Sequence, residues 1–387
     1  MLNQLHILYA VSLLMDMAVA GLMFAISRRA AELGASAAAL GLLGATWQVF
    51  YVAASLISGR LSVRVGRRNL AVVATVVTGV IALLCGQTTK VGLLVVLTAM
   101  FGFGLGFFWP PVIAWVGDGA SGAQLHRRLT WFGIAWNIGL LLGFALTGWV
   151  FRRWLQLAFD IPTVALSLIA LLLLLPARQH HQPVHNPVSA STAHVGAGFR
   201  RTAWLANFGV RVVVAGVAAL FPQLATQLGI PADAHGGLLA VVNATAIVVI
   251  VAMELLVFWR TRLWPLWLVQ ALCALAAATI GLGHSATSFL PAFAVIGLAA
   301  GYSYQASIFF TLEEMTEKGK GSGVHEAFLA GGLFVGPLLA GWAGNQFGLR
   351  APYFCCAATL LAIMAAQIAV VILQRREYFG ARWKTNC

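Results

Sequence analysis

The sequence predicts an all-α polytopic membrane protein, with twelve transmembrane helices in two pseudo-symmetric six-helix bundles. Three observations carry that reading: an apolar composition, apolar blocks of bilayer length, and a repeat that relates the two halves. Of the 387 residues, 60% are hydrophobic and 9% charged, whereas a soluble globular chain carries about 25% charged residues. The mean hydropathy of +0.88 implies more apolar surface than one water-soluble core can hide. Twelve spans of about 20 residues leave roughly 150 for loops and termini, which excludes a large soluble domain.

The first span covers about 5–26. Residues 1–9 lack the basic region of a signal peptide and the block contains Asp16, so it reads as a retained helix. Spans follow at about 38–58, 70–88, 91–115, 130–151 and 159–176. In the fourth, Pro110 and Pro111 mark a bend, because each removes a helical donor and crowds the preceding turn. Residues 177–203 are polar, carry Pro, Ser and His, and have no helical periodicity, so they read as a cytoplasmic linker. Its His180, His181 and His185 lack the Cys or carboxylate neighbours of a metal site. The second set lies at about 204–225, 236–258, 265–283, 288–311, 325–345 and 351–373. The expected division is thus a bundle at 1–176, a linker at 177–203, a second bundle at 204–373 and a cytoplasmic tail at 374–387.

A formal charge of +13 raises nucleic-acid binding, and the placement of the charges argues against it. Seventeen of the 24 Lys and Arg residues lie in loops and the tail on one face, six lie in the opposite loops, and Arg211 lies inside a span. By the positive-inside rule both termini are cytoplasmic, and the excess meets anionic lipid on that side. Cys85, Cys273, Cys355 and Cys356 fall inside apolar blocks and read as buried thiols, not a disulfide framework.

Shifting the sequence by 195 residues aligns the halves across four spans without a gap. Of the 14 glycines from Gly21 to Gly119, six land on another glycine: Gly21 on Gly216, Gly34 on Gly229, Gly41 on Gly236, Gly86 on Gly281, Gly102 on Gly297 and Gly106 on Gly301. With 40 glycines in 387 residues, one or two matches are expected by chance. After a two-residue slip, Gly139, Gly143 and Gly148 match Gly332, Gly336 and Gly341. Parallel repeats of this kind predict an axis along the membrane normal and a site near the midplane between the halves, an architecture of transporters.

Asp16 sits at the middle of the first span, where an ionised carboxylate costs about 2.5–3.5 kcal/mol on insertion scales. Under the shift it falls on Arg211, and Tyr9, Ser12 and Asp16 correspond to Trp204, Asn207 and Arg211. Two equivalent helix faces thus carry one polar stripe with opposite charges. Either the stripes face each other across a central cavity, with Asp16 as a proton or substrate-cation site and Arg211 as its counter-charge or an anion site, or the charges form a static buried pair or Asp16 is hydrogen-bonded to backbone. Trp47, Gln48 and Tyr51 of the second span, with Asn243 in the eighth, are further candidates for the cavity lining. So are Phe108 and Trp109 in the fourth span, Trp136 and Asn137 in the fifth, and Tyr304 and Gln305 in the tenth. Glu326 reads as a first-turn carboxylate favoured by the dipole of the eleventh helix, and His325 as a solvated border residue.

The segment Gly59-Arg60-Leu61-Ser62-Val63-Arg64-Val65-Gly66-Arg67-Arg68 resembles the loop between the second and third helices of the major facilitator superfamily. The resemblance implies that family's twelve-helix fold, and a latch of this loop on the eleventh helix. The family's usual Asp is Val63 here, so Arg64 with Asp118, or Glu326, would supply the charge network. The position of the fourth-helix Arg that many members link to proton coupling holds Thr98. Gly139, Gly143 and Gly148 resemble the antiporter motif of the fifth helix, with Phe144 in place of its Pro, while Gly336-Pro337 keeps the pair in the eleventh.

The expected function is secondary transport of a small organic solute by alternating access, coupled to protons, in the plasma membrane or its bacterial inner-membrane equivalent. The alternatives are a gradient-driven uniporter and a non-transporting receptor or assembly factor on the same fold. No phosphate-binding loop, catalytic carboxylate pair or nucleophile elbow is present in the sequence, so no enzyme and no cofactor is expected. A monomer is expected.

Overall fold

The computed structural model describes residues 4–117, 122–175, 197–314 and 318–385. In chain order the first set of helices is α1 (Gln4–Glu32), α2 (Ala37–Val65), α3 (Arg67–Gln87), α4 (Val91–Gly117), α5 (Gly122–Arg153) and α6 (Leu157–Leu174). The second is α7 (Ala197–Gln227), α8 (Ala232–Leu255), α9 (Trp264–Leu282), α10 (Ala286–Glu314), α11 (Lys318–Phe347) and α12 (Ala351–Thr385), with a short 3-10 helix at Val257–Thr261 after α8. No strand occurs among the described residues. Each of the twelve α-helices contains a stretch long and apolar enough to cross a bilayer. Outward-facing Leu56, Val73, Leu171, Val248 and Leu275 give the bundle an apolar exterior, which only lipid satisfies.

Several helices outrun the apolar blocks, because backbone hydrogen bonding continues past the bilayer border where an apolar scan stops. The segment expected as a loop at 59–69 is helical up to Val65, and Gly66 alone breaks the chain with φ +89 before α3 begins. Residues 197–203, expected in the linker, form the first turns of α7. The eleventh helix starts at Lys318, so Glu326 lies two turns inside it and the first-turn dipole argument for that residue fails. α4 continues through Pro110 and Pro111.

The repeat is visible in atomic contacts. Gly102 and Gly106 of α4 lie on the carbonyls of Trp47 and Tyr51 in α2, and Gly297 and Gly301 of α10 lie on those of Val242 and Ala246 in α8. Gly139 and Gly143 of α5 meet the carbonyls of Leu13 and Met17 in α1, as Gly332 and Gly336 of α11 meet those of Phe208 and Val212 in α7. The carbonyl partners are themselves 195 positions apart. At each site a Cβ would press into backbone, so glycine sets the helix separation. The ends of α1 and α7 repeat as well. Gly34 (φ +78) and Gly229 (φ +67) turn the chain, and Ala35 N donates to Ala30 O at 3.0 Å as Ile230 N donates to Ala225 O at 2.8 Å, the left-handed cap that closes a helix.

Between the two sets, extensive packing is confined to α5 on α8 and α2 on α11, with thinner contact of α7 on α1 and α2. All of the tight points lie toward one face, that of the loops following α1, α5, α7 and α11. A Cβ at Gly148 would stand 2.7 Å from the Ala232 carbonyl oxygen, and one at Gly341 would stand 2.9 Å from that of Ala37. Two hydrogen bonds cross there as a related pair: Arg28 Nη1 donates to Ile230 O at 3.1 Å and Gln223 Nε2 to Ala35 O at 3.2 Å. Under the repeat Arg28 matches Gln223 and Ala35 matches Ile230. Arg152 adds an ion pair to Asp233 at 2.9 Å. The molecule is therefore closed at this face, while α4 and α10 make no comparable packing across the interface among the described residues.

Candidate transport site

The central helices α1 and α7 carry the polar stripes. Gly139 and Gly143 clamp α1 on the two turns that flank Asp16, and Gly332 and Gly336 clamp α7 on those that flank Arg211. Asp16 is buried, and among the described residues its carboxylate makes no hydrogen bond or ion pair. Ser12, one turn earlier, is fully buried with its hydroxyl unpartnered among the described residues, and Tyr9 is half-buried. On α7, both amide atoms of fully buried Asn207 are unpartnered among the described residues. Arg211 is half-buried and its guanidinium lies over the Tyr304 ring, 5.6 Å from the centroid. Asp16 and Arg211, expected as opposed charges, do not form an ion pair in this conformation.

Around Arg211 the second set builds a compact polar and aromatic cluster. Tyr304 stands 5.2 Å from the His325 ring and 6.3 Å from Trp136, which reaches it from α5 of the first set. His325 Nδ1 and Ser307 Oγ are 2.8 Å apart. Trp204 Nε1 donates to Thr311 Oγ1 at 2.8 Å, and the Thr311 hydroxyl donates onward to Ser307 O at 2.6 Å. Trp204 stacks on Phe328 at 5.7 Å. His325 has no exposure, which corrects the expectation of a solvated border residue. The apolar block of the eleventh span begins at 325, which puts this residue at a border. The repeat carried the opposite signal, since His325 falls on Phe132, a buried core side chain.

The remaining candidates divide. Trp47, Tyr51, Trp109 and Gln305 are half-buried, while Gln48 and Asn243 are buried at the matching places on α2 and α8. Asn243 Nδ2 donates to Leu239 O at 3.1 Å and Asn137 Nδ2 to Gly133 O at 2.9 Å, each within its own helix. Phe108 is fully buried, edge-on to Trp109 at 5.1 Å. Trp109 continues that stack to Phe132 at 5.9 Å, so these two rings are joined to core packing.

In the segment after the second span, Gly59 lies within α2, Arg64 is exposed, and Arg67 is half-buried beyond Gly66. Arg68 donates to Leu173 O and, at 3.2 Å, to Leu175 O, tying the start of α3 to the end of α6. Asp118, the side chains of Arg60 and Glu326, and the linker histidines lie outside the described residues. Thr98 is buried and donates to Leu94 O at 2.7 Å, so the position of the expected coupling Arg holds a hydroxyl satisfied within α4.

The profile of the Major Facilitator Superfamily matches residues 8–326. No curated protein matches the chain in sequence. Among solved structures, the nucleoside transporter NupG is similar with a TM-score of 0.72 at 12% identity, covering 95% of this chain and 99% of that one. A bacterial homologue of the human lysosomal transporter Spinster, solved inward-facing and occupied, has a TM-score of 0.70 at 14% identity, covering 98% and 96%. At such identities the likeness concerns the fold. Together with the twelve bilayer-length helices and the family profile over most of the chain, it establishes an integral membrane transporter that belongs to the major facilitator superfamily.

Proposed function

We propose that the protein is a secondary transporter that uses a proton gradient, through Asp16, to move a small organic solute by alternating access. The observation that carries this reading is the Asp16 carboxylate, buried at mid-membrane with no hydrogen-bond or ion-pair partner among the described residues. A carboxylate kept there against a cost of about 2.5–3.5 kcal/mol is a functional group by default. The two sets of helices, 1–176 and 204–373 in the expected division, rock about the α1 and α7 contact. With both termini cytoplasmic in a plasma or bacterial inner membrane, the closed face is the outer one, and this conformation faces inward.

The solute binds between the sets, beside Trp136, Tyr304, Arg211 and the His325–Ser307 pair, where rings and hydrogen-bonding groups meet. Such a lining suits a planar, hydrogen-bonding molecule, a class that includes the nucleosides of the similar transporter. A thermal-shift screen of small solutes identifies the ligand, and flux into liposomes under an imposed proton gradient tests the coupling. Asp16→Asn is expected to abolish gradient-driven accumulation and to retain solute exchange at equal pH. Unchanged accumulation in that variant rejects Asp16 as the proton carrier. The second reading, a uniporter, draws on Thr98 at the coupling position and is favoured by parent flux that ignores the pH gradient. Ligand binding without any flux favours a receptor.

A further inference from the structure

The outer, closed face holds a buried imidazole that the transport site does not use. His235, in the first turns of α8, has no exposure, and among the described residues neither ring nitrogen has a hydrogen-bond partner. Its ring is wedged between the two sets: Phe24 of α1 lies 4.7 Å away and Phe221 of α7 5.2 Å away. The neighbouring ties all cross the same interface, Arg28 to Ile230 O, Gln223 to Ala35 O and Arg152 to Asp233. Packing does not require a polar ring here. The repeat places Leu40 at the equivalent site, buried to 1%, and Leu40 N donates to Ser36 O as His235 N donates to Pro231 O, each at 3.1 Å. One copy of the contact is built with leucine, the other with a titratable ring.

We propose that His235 is a second proton-binding site, one that releases the outer closure when it is protonated. An imidazolium presents two N–H donors and a full charge, and among the described residues neither nitrogen meets an acceptor in the closed site. The charged groups at this end of the neighbouring helices are Arg28, Arg29 and Glu32 of α1, with Arg28 and Glu32 paired at 3.1 Å, Arg152 and Arg153 of α5, and Asp233 of its own helix, which Arg152 holds. The facing halves of α7 and α10 bring only neutral side chains, Phe221, Phe289 and Phe293 among them. Arg28 bears on the ring as a like charge and repels a second cation. Protonation and closure are therefore mutually exclusive, and acid outside favours the state in which water reaches the ring. A single site of this kind raises the open-to-closed ratio by up to about tenfold per pH unit below about pH 6.5, the unperturbed imidazole value. This device goes beyond coupling through Asp16, although both act on one conformational equilibrium.

The test is dipolar distance measurement across the closed face in nanodiscs, with spin labels at Lys90→Cys and Gln227→Cys and the native cysteines replaced by alanine. Both labelled positions are exposed, one in each set of helices. From about pH 7.5 to about pH 5.5 the longer-distance population is expected to grow about tenfold relative to the shorter one. His235→Leu, which copies the equivalent contact, is expected to remove that response and leave the distances at neutral pH unchanged. His235→Gln serves the same comparison if the leucine variant is not produced. Asp16→Asn is expected to keep the response. A parent without an acid response, a response that persists in the His235 variants, or one lost in Asp16→Asn alone overturns the proposal.

Discussion

A buried side chain that could titrate, or that lacks its hydrogen bonds, is held in place by something near it, and in this protein the holders are small. Asp16 keeps its place because Gly139 and Gly143 bring α5 against the turns on either side of it. His325 keeps its place through Ser307, the one polar partner of its ring among the described residues. Ser307→Ala leaves a fully buried imidazole with neither nitrogen satisfied, and is expected to cost about 1–3 kcal/mol of stability, read as a lowered melting temperature. His325→Phe, the residue its repeat partner already uses, is expected to melt near the parent temperature while losing affinity for the ligand found by screening. The lesson about legibility sits at this scale too. Asp16 and Arg211 stood out because charges inside apolar spans are conspicuous. His325 did not, because the apolar block starts at that residue while the helix already runs from Lys318. The absence of an Asp16–Arg211 pair was illegible, since the repeat equates the positions of two residues and says nothing of where each side chain turns.

Among elements, the glycines fall into two kinds that look identical in sequence. Gly102 and Gly297 pack within one set of helices, against the Trp47 and Val242 carbonyls, whereas Gly148 and Gly341 pack between the sets. Adding a methyl group at Gly102 is expected to overpack a permanent contact and destabilise the fold by about 1–3 kcal/mol. The same change at Gly148 meets the Ala232 carbonyl only in the closed state. It is therefore expected to leave melting nearly unchanged and to lengthen the Lys90–Gln227 label distance. Equal melting losses at both positions would show that the two contacts are of one kind. The peripheral helices carry their own bond: Gln270 of α9 and Gln367 of α12 exchange hydrogen bonds at 3.0 and 2.7 Å while fully buried. Gln367→Leu alone is expected to cost about 1–3 kcal/mol, and the double leucine variant less, because the cost lies in the orphaned amide. Helix existence was legible throughout from apolar block length. Helix ends were not, because the chain stays helical for about two turns beyond the apolar blocks at α2, α7 and α11.

For the whole molecule, what matters is how weakly the closed face is held. The Arg152–Asp233 pair is half exposed on its Arg side, and a pair of that kind contributes about 0.2–1 kcal/mol. Asp233→Asn is thus expected to move the open-to-closed ratio by no more than about fivefold. A shift of a hundredfold in the label distances would mean that the pair is the principal lock. Closure rests instead on helix packing with glycine at the contact points, supported by two hydrogen bonds that mirror each other. The sequence made the relation between the halves legible, because the contacts that need glycine recur at a constant spacing. Which face is shut is a matter of conformation, which no spacing encodes.

The mirrored pair, Arg28 to Ile230 and Gln223 to Ala35, has a further consequence. Each half offers the other the same donor place and the same acceptor place, as the two partners of a symmetric dimer do. The covalent join between them contributes none of these contacts, so the chain behaves as two subunits strung on one ribbon. Severed between 176 and 196 and produced as two separate polypeptides in one cell, the fragments are expected to find each other and copurify. Two fragments that never associate would mean that the tether, and not the mutual fit, is what brings the halves together.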